Sequence, residues 1–567
     1  MRQLQAIREP CARSRSDVGS NEGSRRIETM KTGLTRRALA CSVFALLSAG
    51  FPFGQLLAYH ELSPTPGLYT SVAVLNPGPD ARLVMSQYSP SSVATGDFVL
   101  RQWNAQTNIW STDELGGGGV VGVADLDGDG HEDILLNGNR ARLYSGATRQ
   151  LLQESLDGRG GFWLGDLDGD GFDELFDGNR LRTTADLDAP LPQLNYNDAF
   201  TFPYLHYPGV FTDIAAIGDI NGDGIRDVVI GYGNCSMADH GGCNGYHYHN
   251  RAIAFSGLDG AQLILTEGPD GYTPQSNFGW GVVALDDLDG DGLPEILITS
   301  IRTPPSFSHP RFFVYAGDCY TGGVTPPLMM EVTPIAASLS YRSSPLLVGD
   351  VNADGFKDLA VPLTFYQFGS PDQSRARFLD GRTLELLWDL HLPAASTNPS
   401  TRPIGEFLAI GDANADSFPD FTAVSRNYGS VWVHSGAPPG TSVLGDGLPG
   451  TLGLTPRISV HRPPRPGETS SRFNSTDVSA GAIAVLLLAH ERNLQPVAPG
   501  VNVLCSSRQI VTSTATVAGR VQATATVDFS NGFRPGDRLF AQWAFLEPTA
   551  TGMHFATSPI LEVVVQE

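Results

Sequence analysis

The sequence predicts an all-β protein: a run of repeated four-stranded units, then a second all-β domain. Three observations carry this expectation. A nine-residue acidic frame recurs six times. Strand-length apolar runs flank its copies. After residue 440 the frame stops, while alternation of apolar and polar residues continues.

The bounds agree. The 567 residues suffice for two or three domains, and 41% apolar with 17% charged is a globular composition. Gly (64) and Pro (39) suit many turns rather than long helices. The net charge of −23 argues against nucleic acid and anionic membranes as partners, and raises the prospect that bound cations neutralise part of it.

Residues 1–58 read as a leader carrying an export signal. Lys31, Arg36 and Arg37 form a basic region, and an apolar run from Ala38 to about Ala49 follows. That run is short for a bilayer span, and no later segment has 18 uncharged apolar residues. Met30 is the expected natural start, with cleavage between Ala49 and Ala58. The Arg pair fits a twin-arginine signal or an ordinary secretory one. The mature chain is expected outside the cytoplasm, in the periplasm, at the cell surface or secreted, with no membrane span.

The six frames are DLDGDGHED (125–133), DLDGDGFDE (166–174), DINGDGIRD (219–227), DLDGDGLPE (287–295), DVNADGFKD (350–358) and DANADSFPD (412–420). Carboxylates this dense repel one another, by roughly 1 kcal/mol per pair at 4 Å even in water. A hard cation resolves the repulsion. Oxygens at positions 1, 3, 5 and 9 and a carbonyl at 7 can surround Ca²⁺, which takes six to eight oxygen ligands in flexible geometry. Mg²⁺ wants a stricter octahedron and keeps its waters. Gly at position 6 allows the sharp turn. The sixth frame has Ser417 there and is expected to be the weakest of up to six sites.

An EF-hand is excluded. It needs Glu at position 12, where this chain has Leu136, Asp177, Ile230, Ile298, Val361 and Ala423. Runs such as VVGVA before a loop and ILL, VVI or ILI after it are strands. A further strand with an aromatic and a Gly turn recurs in RLYSGATRQLL, AIAFSGLDGAQLI, FFVYAGD, ARFLDGRTLELLW and VWVHSGAP. Four strands in 40–65 residues suggest propeller blades, not helical solenoids.

Residues 65–440 thus resemble the FG-GAP/VCBS repeat family, best known from the β-propeller of integrin α subunits. The Phe-Gly signature is weak, NFGWG at 277–281 being its clearest trace. The resemblance implies Ca²⁺ in the loop between the first two strands of each blade. Its ligands would be Asp125, Asp127, Asp129 and Asp133; Asp166, Asp168, Asp170 and Glu174; and Asp219, Asn221, Asp223 and Asp227. The later loops would supply Asp287, Asp289, Asp291 and Glu295; Asp350, Asn352, Asp354 and Asp358; and Asp412, Asn414, Asp416 and Asp420. It also implies seven blades. VAVLNPGPDARLVM at 72–85 aligns with the first loop region, its ligands replaced, and reads as a metal-free first blade. The alternative is a six-bladed ring with a separate N-terminal hairpin. The expected domains are therefore the leader (1–58), the propeller (59–440) and a C-terminal β-sandwich (441–567).

Two further features bear on function. Cys235 and Cys243 bracket CSMADHGGC, and an exported protein makes a local disulfide the expectation there. His240, His247 and His249 lie beside them with Asp239, as a metal site or as polar residues of a pinned loop. No nucleophile elbow or zinc-protease motif occurs. Glu406, Asp380 and Asp239 are the nominal acids left for catalysis, and Trp543 is expected in a core. The expected function is non-enzymatic: a binding or adhesion module for an extracellular protein or glycan, with structural Ca²⁺. The alternative is an extracellular enzyme acting on polysaccharide or a phosphate ester.

Overall fold

The loops and the strands beside them fold as the repeat pattern requires. The second sheet, which carries the first frame, shows the unit. Gly119–Val123 and Asp133–Asn137 pair antiparallel, with the loop 125–133 between them. Ala141–Tyr144 and Leu151–Glu154 complete the meander. The computed structural model describes residues 56–566 with interruptions, those of ten or more residues being 89–99, 194–211, 233–250, 301–310, 318–327 and 393–405. Residues 1–55 fall outside the description, as do Cys235, Cys243, Asp239 and the three histidines of that insertion.

Among the described residues there is no helix. Seven antiparallel sheets follow one another, and the acidic loops occupy the second to the seventh. In the sixth, the first strand is split into Leu339–Ser340 and Leu346–Gly349. The first sheet contains Tyr69–Leu75 and Arg82–Tyr88, the segment read as a metal-free unit. Its turn residue Asn76 exchanges two hydrogen bonds with Glu132 of the first loop.

The seventh sheet is completed from the other end of the sequence. Leu56–Glu61 pairs antiparallel with Ser430–His434, Tyr59 opposite Trp432. The first strand thus begins inside the segment expected to be leader. The sheets also pack in a cycle. Val283 and Leu297 of the fifth sheet share a core with Leu359 and Leu379 of the sixth. Phe378 of the sixth meets Phe421 of the seventh at 5.5 Å, edge to face. Val72 and Leu83 of the first join Ile410, Val431 and Val433 of the seventh. Each buried aliphatic side chain in these interfaces contributes about 1.5–3 kcal/mol.

The Phe-Gly trace has a packing reason. Phe278 is fully buried, with ring centroids 5.4 Å from Phe313 and 6.4 Å from Tyr315. Gly279 has φ +84°, and a Cβ there would strike the Arg251 carbonyl oxygen. Its own carbonyl accepts from Thr212 Oγ1 of the neighbouring sheet at 2.6 Å.

Beyond residue 440, a six-stranded sheet and a four-stranded one share a core. Phe473, Ala525 and Val527 come from one sheet, and Leu486, Trp543 and Val563 from the other. Trp543 is fully buried and stacks on Phe545 at 5.9 Å, a core residue as expected. Phe418 of the sixth loop joins the same cluster. The chain from Pro52 to Glu567 packs as one unit. The segment beyond the expected boundary at 441 therefore lies against the repeats.

Candidate metal centre

Each acidic loop is wound by its own carboxylates. In the first, Asp125 Oδ1 accepts from the Gly128 and Asp129 amides at 2.8 and 3.1 Å, and its Oδ2 accepts from Gly130 at 2.8 Å. Asp129 Oδ1 accepts from His131 at 2.9 Å. Asp133, at position 9, reaches back to the Leu126 amide at 2.9 Å. The same pattern recurs in the third loop through Asp219, Asp223 and Asp227. It recurs in the sixth through Asp412, Asp416 and Asp420.

The winding places positions 4 and 6 in the left-handed region. Gly290 and Gly292 have φ +87° and +96°. The sixth loop holds Ala415 at +59° and Ser417 at +70°, a cost of roughly 1–2 kcal/mol for each non-glycine residue. Position 4 was not singled out from the sequence. Its Gly or Ala was visible in every frame, and only the wound backbone gives that choice a meaning.

The structure gathers the fourth loop's predicted ligands completely. Asp287, Asp289, Asp291 and Glu295 each offer an oxygen, all within 4.8 Å of one another. Asp125, Asp127 and Asp133 are gathered equally tightly in the first loop, and Asp166, Asp168 and Glu174 in the second. Asp129 and Asp170 stay outside those groups, each holding the amide two residues ahead. Loops three, five and six have Asn at position 3, and their own carboxylates do not gather into a group of three this tight among the described residues.

Position 9 separates these loops from ordinary acidic turns. Asp133, Asp227, Glu295, Asp358 and Asp420 are 0% exposed, and Glu174 is 2% exposed. Burial, aided by the neighbouring loop carboxylates, pushes Glu174, Asp227 and Glu295 up to about 7 and Asp420 up to about 8. Asp358 is raised well above the usual carboxylate range for the same reasons. Glu174 Oε1, Glu295 Oε1 and Asp420 Oδ1 are buried without a hydrogen-bond partner. A buried carboxylate oxygen left unpaired is costly, and such atoms in folded proteins call for an ion, a water or a proton.

The turn after the third strand folds over the loop. Ser145, Ser256 and Ser435 donate to Oδ2 of Asp129, Asp223 and Asp416 at 3.0, 3.1 and 3.0 Å. The adjoining amides of Gly146, Gly257 and Gly381 donate to Asp133, Asp227 and Asp358. Sequence reasoning noted the recurring turn without its role, because the contact spans 13 to 33 residues. Of the nominal catalytic acids, Asp380 occupies this turn in the sixth sheet.

In the C-terminal segment, the strand Ser459–Val460 and the residues around it lie over the fifth loop. Arg457 donates to the Asp350 carbonyl at 2.6 Å and to the Ser417 carbonyl at 3.1 Å, so it bridges the fifth and sixth loops. Ser459 Oγ donates to the Val351 carbonyl at 2.8 Å, and Asn474 Nδ2 to the Asn352 carbonyl at 2.9 Å.

No family model matches the chain. Among solved structures it is similar to Saccharomyces cerevisiae Sqt1, with 11% identity and a TM-score of 0.38, over 68% of this chain and 100% of that one.

Proposed function

We propose that the chain is an exported, calcium-binding, seven-bladed β-propeller with a C-terminal β-sandwich, serving as a binding or adhesion module for an extracellular protein or glycan. The propeller reading rests on seven successive sheets packed in a cycle, the last completed by the N-terminal strand. Radial repetition of this kind leaves only short, protected sheet edges. The calcium reading rests on one observation above the others. Six buried position-9 acids end six wound acidic loops, and three of them keep an oxygen without a partner.

The residues fit the ion by chemistry. The predicted donors are all oxygen, from carboxylates and Asn amides, as Ca²⁺ prefers. The fourth loop, complete in carboxylates, is the leading site, followed by the first and second. Bound Ca²⁺ supplies the positive charge that lets the position-9 acids stay ionised at neutral pH. The protein's own part is to fix the loop amides, the covering turn and the sheet behind them. The sixth loop, strained at Ala415 and Ser417, is the weakest. A rigid ring of this kind presents connecting loops as a recognition surface. Equilibrium dialysis of the full chain against Ca²⁺ tests the site count: three or more ions per chain support the reading, and none sinks it. A glycan array and a polysaccharide hydrolysis panel then separate a binding module from an enzyme. Turnover without stable binding would overturn the adhesion reading.

A further inference from the structure

The fifth loop differs from the first, third and sixth at the position that covers it. Where Ser145, Ser256 and Ser435 donate a hydroxyl proton to the position-5 carboxylate, the sixth sheet carries Asp380, which brings a second carboxylate. Asp380 Oδ1 is taken up by its own turn, accepting from Arg382 and Thr383. Its Oδ2 faces the site and shares the Asn352 amide with Asp354 Oδ2, both at 3.3 Å. One long amide contact to each oxygen leaves two adjacent acids poorly compensated.

The C-terminal segment adds a third group. His461 follows the strand Ser459–Val460 and is 5% exposed. Its Nδ1 lies 3.7 Å from Asp380 Oδ2, and its Nε2 has no hydrogen-bond partner. Asp354, Asp380 and His461 each offer a ligand atom, all within 4.8 Å of one another. Burial first, then Arg472 and Arg462 near the ring, disfavour a protonated imidazole, against the opposing pull of Asp380. An imidazole gathered with two carboxylates is a ligand set a metal can use. Beside His461 lies a polar cavity of about 310 Å³, lined also by Glu385, Glu468 and Arg472.

We propose that Asp354, Asp380 and His461 bind a divalent transition ion, Zn²⁺ in the first instance, and that the ion clasps the C-terminal domain to the fifth loop. Ca²⁺ favours oxygen donors, whereas one imidazole nitrogen with two carboxylate oxygens suits Zn²⁺ and leaves a position for water. Asp354 is common to this site and to the fifth calcium loop, so the two readings need separate readouts.

The test uses the full chain, stripped with EDTA and returned to about 10 mM Ca²⁺, above the ~10⁻⁴–10⁻³ M range of extracellular calcium modules. Zn²⁺ is added, excess is removed by gel filtration, and bound zinc is measured by elemental analysis. The expected result is one retained equivalent, with Co²⁺ giving visible d–d absorption in its place. His461→Gln and Asp380→Ser should each lose the zinc. Asp380→Ser installs the turn residue used in the second, fourth and seventh sheets, so it decides the matter if His461→Gln fails to fold. His461→Gln should keep the Ca²⁺-dependent rise in Tm, and Asp380→Ser, which alters the cover of the fifth loop alone, should keep the part owed to the other loops. That rise reads the calcium loops alone, so loss of zinc with the rise intact supports the proposal. Wild-type protein without zinc, or variants that retain it, would overturn it whatever Ca²⁺ does to Tm.

Discussion

Replacing Glu295 by Gln should change stability in opposite directions with and without Ca²⁺. Glu295 is fully buried, its Oε2 accepts from the Leu288 amide at 2.5 Å, and its Oε1 has no partner. Burial first, then Asp289, Asp287 and Asp291, raise its pKa from 4.5 to about 7. A carboxyl raised in the folded state holds its proton there longer than in the unfolded chain. Its cost is therefore absent below about 4.5 and complete above about 7. The full shift corresponds to on the order of 3 kcal/mol at pH 8. Gln keeps an acceptor for Leu288 and carries no charge. In EGTA at pH 8 the variant should gain up to about 3 kcal/mol, or about 3–4 °C in Tm for a folded unit of this size. At pH 5 most of that gain should vanish. In saturating Ca²⁺ the sign reverses, because the site is weakened, and a hundredfold excess over Kd is worth about 2.7 kcal/mol. Differential scanning calorimetry at both pH values reads all of this. The reasoning fails if Ca²⁺ stabilises the variant as much as wild type, or if the EGTA melts of the two proteins coincide at pH 8.

Other substitutions probe the frame around the sites. Ser417→Gly should raise Tm by the equivalent of about 1 kcal/mol, since it relieves a left-handed residue at φ +70° and keeps the carbonyl used by Arg457. Gly279→Ala should destabilise by about 2 kcal/mol or more, seen as a lower Tm, because its Cβ meets the Arg251 carbonyl and its φ is +84°. His434 is buried, stacks on Phe421 at 5.5 Å, and has neither ring nitrogen bonded. Burial lowers its pKa from 6.5 to about 4. The folded state resists protonation, so stability is lost as pH falls from about 6.5 toward 4. Melts between pH 7.5 and 4.5 should show a smaller acid loss for His434→Leu than for wild type.

How much of this was legible in the sequence depended on range. The six frames and their apolar flanks are local, so the loops and the strands beside them could be placed to within a few residues. VAVLNPGPDARLVM, with the acidic ligands replaced, still betrayed the first sheet through its alignment with VADLDGDGHEDILL. What escaped was set by contacts distant in sequence. LLAYHE at 56–61 has no frame beside it and follows a leader-like stretch, so its pairing with Ser430–His434 was invisible. The covering role of Ser145 and its counterparts needs the folded turn. The meeting of Asp380 with His461 spans 81 residues and joins the sixth sheet to the C-terminal segment, and no spacing rule links them.

The most direct test of the central claim is thermal unfolding of the full chain in Ca²⁺, in Mg²⁺ and in EGTA at pH 7.5. Several filled loops at about 2.7 kcal/mol each predict a Ca²⁺-specific rise on the order of 10 °C over EGTA, with Mg²⁺ giving less than half of it. Asp287→Ala combined with Asp291→Ala should remove a clear part of that rise. Coincident midpoints in the three conditions would contradict the account, and the buried position-9 acids would then hold protons rather than a metal.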